Sequence, residues 1–90
     1  MTDSEYTLIK NKHFEFAKAR GSEKNYCPSE VARGLFPENW RSKMDAVRSV
    51  ADDLFRNEEL IVSQFGKDLD ILPSEVKGHI RLRRGRKFNK

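Results

Sequence analysis

Three observations predict an α+β domain of three helices and a β-hairpin. Cys27-Pro28-Ser29-Glu30-Val31-Ala32-Arg33 opens a short helix and is followed by a brief break. A long amphipathic helix carrying Trp40 comes next. Two strand-like runs separated by a loop follow it, and one helical run precedes the whole. Helix, short helix, turn, long helix, hairpin is the order of a single winged helix-turn-helix domain, whose usual partner is a nucleic acid.

Each element has its own local signal. Residues 1–6 are polar and predict a frayed N-terminus. Residues 7–20 read as the first helix, stopped by Gly21, with Ile9, His13 and Phe16 on one face and Phe14 on its flank. Gly21-Ser22-Glu23-Lys24-Asn25 is a loop by composition. Pro28 suits the first position of the second helix, where its missing N–H is not needed. Cys27 then falls at the N-cap and Glu30 three residues later, the spacing of a capping box.

Pro37 is expected to start the third helix, which runs to about residue 57. Trp40, Met44, Val47, Ala51 and Leu54 recur at helical spacing and form its core stripe. Leu60-Ile61-Val62-Ser63-Gln64-Phe65 is rich in strand formers, and Gly66-Lys67-Asp68 reads as a turn. His79-Ile80-Arg81-Leu82-Arg83 alternates, with Ile80 and Leu82 inward and Arg81 and Arg83 outward. Pairing residues 61–65 with 79–83 closes a hairpin with a long wing. The domain is expected over residues 7–84, with 85–90 as a basic C-terminal tail.

The string from Cys27 to Arg33, with Trp40-Arg41 downstream and Gly78, Ile80 and Arg81 in the last strand, resembles a small bacterial family of uncharacterised winged-helix-like domains. The resemblance covers roughly residues 8–84. It implies the fold and a bacterial source, and it carries over no catalytic or binding residue. Winged-helix domains as a class suggest DNA binding, which is an analogy at the level of fold.

Ninety residues bound what else the chain can be. One domain of this size buries roughly 60–65% of its unfolded surface, so its core is small. The single cysteine, Cys27, allows no internal disulfide and fits a reducing cytoplasm. Neither a signal peptide nor an apolar run of membrane-spanning length is present, which predicts a cytoplasmic protein without a membrane partner. His13, Cys27 and His79 are too scattered for a metal site, so no metal, no cofactor and no enzymatic activity are expected. His13 reads as a hydrogen-bonded core residue.

The charge is uneven. The net charge is +4, yet residues 81–90 hold six positives and no acid, which leaves a net of −2 for the other 80 residues. If the domain reads double-stranded DNA, the N-terminal half of the third helix would enter the groove through Arg41, Lys43 and Arg48. Lys67 on the wing and Arg81, Arg83, Arg84 and Arg86 on the last strand and tail would track phosphates. The competing reading makes Arg41–Asp45 and Arg48–Asp52 ordinary ion pairs on a solvated helix, since the charges from Glu38 to Arg56 sum to zero. The chain would then be a protein-interaction or structural module, with a protein partner or a second copy of itself.

Overall fold

The computed structural model describes residues 1–21 and 24–88. Ser22 and Glu23 of the expected loop, and Lys90 of the tail, lie outside the described residues. Three helices and a three-stranded antiparallel sheet make an α+β domain compatible with a winged helix.

Helix α1 spans Asp3–Arg20 and begins before residue 7, where the sequence placed its start. Thr2 is the reason: its Oγ1 accepts the Glu5 N–H at 3.1 Å and caps the first turn. Tyr6 then donates its hydroxyl to Asp53 at 2.7 Å, which docks this turn on the third helix. The inward residues are Ile9, His13, Phe14 and Ala17. Phe14 is thus buried and Phe16 half-buried, the reverse of the expected order. Phe16 instead stacks on Tyr26, with ring centroids 5.6 Å apart.

Helix α2 spans Pro28–Leu35, as Pro28 predicts. Glu30 accepts the Cys27 N–H at 2.8 Å and also meets Arg20 at the end of α1. Burial alone would push the Glu30 carboxyl up, but the Cys27 N–H, Arg20 and the more distant charge of Arg81 hold it below the usual carboxylate range. Pro37 does not start the next helix. Residues 37–39 form a turn, and a 3₁₀ turn at Trp40–Lys43 leads into helix α3, Met44–Arg56.

Strand β1, Leu60–Gln64, lies at the centre of the sheet, between β2, Lys67–Leu69, and β3, Arg81–Arg84. Val62 faces both Leu69 and Leu82. The expected pairing of 61–65 with 79–83 is in the observed register, which sets Ile61 opposite Arg83. The turn, however, is Phe65-Gly66, and Lys67 and Asp68 belong to β2. Strand β3 starts only at Arg81, because the Gln64 side chain takes the carbonyls of Lys77 and His79 at 2.7 and 3.1 Å. On the other edge of β3, Tyr26 exchanges two backbone hydrogen bonds with Leu82, each 2.8 Å.

The core gathers Ile9, Val31, Val47, Leu54, Val62, Ile80 and Leu82 from every layer. Trp40, Met44 and Leu35 are only half-buried at its rim, and Ile61 lies outside it. His13 sits at its centre, fully buried, as a core histidine should. Its Nε2 is 3.0 Å from the Val47 carbonyl and its Nδ1 is 2.8 Å from the Tyr26 hydroxyl. The carbonyl can only accept, so Nε2 carries the proton and the Tyr26 hydroxyl donates to Nδ1. Burial lowers the His13 pKa to about 4, against the smaller opposing effect of the Val47 carbonyl.

Candidate nucleic-acid interface

Most of the expected phosphate contacts are committed to the fold. Arg48 does not pair with Asp52. Its guanidinium donates to the carbonyls of Val76 at 2.8 Å and Gly78 at 2.7 Å. Asp52, almost fully buried, accepts the Ser74 N–H at 2.9 Å and its hydroxyl at 2.5 Å. The two side chains therefore clamp the loop between β2 and β3, with its 3₁₀ turn Pro73–Glu75, onto α3. A carbonyl-bound arginine at this place is a structural strut, and the flank of α3 that was expected in a groove carries that loop instead.

The last strand tells the same story. Arg84 donates to the carbonyls of Ala17 and Lys18 at 3.1 and 2.8 Å, where the last turn of α1 exposes unpaired acceptors and the negative end of its dipole. Arg83 grips Asp68 with both guanidinium nitrogens, at 2.7 and 2.8 Å. That fork holds the Asp68 carboxyl below its ordinary range. Lys43 pairs with Glu5 at 3.1 Å. Arg86 and Lys87 share Glu58, at 2.6 and 3.2 Å, and lower its pKa.

Residues 85–88 fold back rather than trailing. Gly85 and Lys87 donate their N–H groups to the carbonyls of Glu59 and Glu58, both at 2.8 Å. Phe88 closes on Phe14 at 5.7 Å between centroids. A Cβ on Gly85 would stand 2.3 Å from the Glu58 carbonyl oxygen, so only glycine allows this approach.

The candidates left over are Arg41, Lys67 and Arg81. All three are exposed, and none forms an ion pair with an acid among the described residues. Two of them border the wing tip. Lys67 pairs across the β1–β2 turn with Gln64, and Arg81 faces Ser63 from β3. A shallow hollow at the tip is lined by Asn25, Gln64, Phe65, Gly66, His79 and Arg81. Lys77, exposed and likewise without an acidic partner, is tied in through its carbonyl to Gln64. The tip thus gathers three cations outside any ion pair among the described residues, two of them candidates, with polar groups between. Arg81 also donates to the Ile80 carbonyl at 3.3 Å and helps to lower the Glu30 pKa.

Arg41 belongs to a second group, at the turn before α3. Its guanidinium lies 4.8 Å from the Trp40 ring centroid, and that of Arg33 lies 4.2 Å from the same ring. Cation–π contact orders both side chains without cancelling their charge. Arg33 was not among the sequence candidates, although it closes the motif that starts at Cys27. By contrast, α3 itself presents Asp45 and Ser49 outward, and its exposed Arg56 is paired with Asp53.

No helix among the described residues is long and apolar enough to cross a membrane. Among the same residues, no group of three His, Cys, Asp or Glu could hold a metal ion. A small α+β domain compatible with a winged helix, with cations outside any ion pair among its described residues at a hairpin tip and at the turn before α3, is the class that fold and surface define. Residues 7–85 match the family described as a protein of unknown function (DUF3253), and the chain belongs to that family. No curated protein matches it.

Proposed function

We propose that this chain is a winged-helix module that binds duplex DNA mainly through its wing. One observation carries the reading. Arg48 on α3, Arg83 and Arg84 on β3, and Arg86 and Lys87 in the 85–88 turn are taken up by acids and carbonyls of the fold, whereas Lys67, Lys77 and Arg81, around one exposed turn, form no ion pair among the described residues. Such cations can neutralise phosphates and release their counterions. Arg33 and Arg41 provide a second contact at the corner that leads into α3. The contacts are of the kind that positions a protein on the backbone, so affinity should exceed sequence preference.

Fluorescence anisotropy with a labelled random duplex at low salt tests this. The expected result is binding that weakens steeply as salt rises, and weakens further in the Lys67→Gln/Arg81→Gln double variant. A second reading is favoured by the outer face of α3, which offers Asp45 and no unpaired cation among its described residues. If the wild-type protein binds no duplex at low salt, the domain is an interaction module with a protein partner.

A further inference from the structure

The wing turn is built from the wrong residue for a turn. Phe65 and Gly66 join β1 to β2 with φ angles of 53° and 79°. Two successive left-handed residues in a two-residue hairpin match a type I′ turn, whose first position belongs to Asn, Asp or Gly. A bulky side chain there is strained. Phe65 is also 94% exposed, the most exposed of the large hydrophobic residues. Among the described residues it is neither part of the core nor packed against it, so neither backbone nor core selects a phenylalanine. Strain held at an exposed position points to a role outside the fold.

The surroundings say what the ring meets. Lys67, Lys77, His79 and Arg81 border it, with Asn25 and Gln64 beside the same hollow. Two acids lie close to these cations: Asp68 is held by both nitrogens of Arg83, and Glu30, on which Arg81 also acts, is paired with Arg20. Asp70, which has no ion pair among the described residues, lies toward the other end of β2, in a hollow with Phe55, Arg56 and Arg86. An apolar partner pocket would call for an apolar rim. A flat ring surrounded by cations and hydrogen-bonding groups instead fits stacked bases flanked by phosphates. Architectural proteins drive such apolar wedges between base steps from the minor groove and kink the duplex.

We propose that Phe65 is a wedge that enters the base stack of duplex DNA and bends it. This rests on the DNA-binding reading above. The test uses the full chain, a short duplex labelled at both ends for energy transfer, and three proteins: wild type, Phe65→Asn and Phe65→Trp. Asparagine tolerates the left-handed turn, so Phe65→Asn should fold and melt a few degrees higher than wild type. It should bind about 10-fold or more weakly, because stacking on one base is lost. The slope of binding against salt should not change, since no charge is removed, and the end-to-end shortening of the duplex should vanish. Phe65→Trp should keep both the affinity and the bend. If Phe65→Asn binds and bends like wild type, the wedge is wrong while DNA binding stands, and the ring belongs to a protein partner. If no protein binds duplex, both ideas fall together.

Discussion

The last strand with its folded-back end and the wing tip are both basic, and they use their charge in opposite ways. At the first, Arg83, Arg84, Arg86 and Lys87 meet Asp68, the α1 carbonyls and Glu58. At the second, Lys67, Lys77 and Arg81 form no ion pair among the described residues. The richer stretch of sequence is therefore the more internally committed one. Positive charge becomes a binding surface only where the fold leaves it unspent, and the count of arginines in a strand does not reveal that.

This contrast can be broken most sharply at Gly85. Gly85→Ala forces a Cβ against the backbone of Glu58 and should separate the folded-back end from the sheet. The expected loss is about 3 kcal/mol, or roughly 10–20 °C in melting temperature. A melt near that of the parent would mean that residues 85–88 are held loosely and that their cations are available after all.

Acid should weaken the fold through the core. His13 is kept neutral in the folded protein, with a pKa of about 4, against about 6.5 when unfolded. The unfolded chain binds the extra proton between these values. Stability is therefore full above pH 6.5 and declines as pH falls toward 4, by about 3 kcal/mol from this residue. Denaturant titrations at pH 7 and pH 4.5 should show the decline, and His13→Gln should flatten that portion of it. An equal pH dependence in the variant would assign the effect to other groups.

Smaller effects compare single cations. Arg48→Met breaks the hydrogen bonds to Val76 and Gly78 and should cost about 2 kcal/mol, with the loop between β2 and β3 coming loose from α3. Lys67→Met should stay within about 0.5 kcal/mol of the parent. Urea midpoints of the two variants measure the difference directly. If Arg48→Met proves neutral, its carbonyl contacts are incidental and the residue returns to the list of available phosphate ligands.

Much of the fold was legible before the structure. The α3 stripe, the Cys27-Pro28 start of α2, the burial of His13 and the inward set of Ile80 and Leu82 all follow from local periodicity and capping. What was missed depends on partners distant in sequence. Trp40 has the spacing of a core residue but sits at the rim under Arg33 and Arg41. Lys67 and Asp68 have turn composition, yet pairing with Gln64 and Ser63 makes them a strand and moves the turn onto Phe65. Of the cations singled out, the sequence could not tell Arg81 from Arg83. Both point outward, and only the register that sets Asp68 and Arg81 on either side of Ser63 brings β2 close enough for Arg83 to find Asp68.

One measurement tests the contrast most directly: the slope of log binding constant against log salt for duplex DNA, in wild type and two double variants. Lys67→Gln/Arg81→Gln and Arg86→Gln/Lys87→Gln each remove two positive charges, so net charge is matched. The tip variant should lose about 1.8 units of slope, close to 0.9 for each phosphate contact. The variant at the folded-back end should keep the wild-type slope, because Glu58 already engages both of its cations. Equal losses in both, or a loss only in the second, would contradict the assignment of phosphate contact to the wing tip.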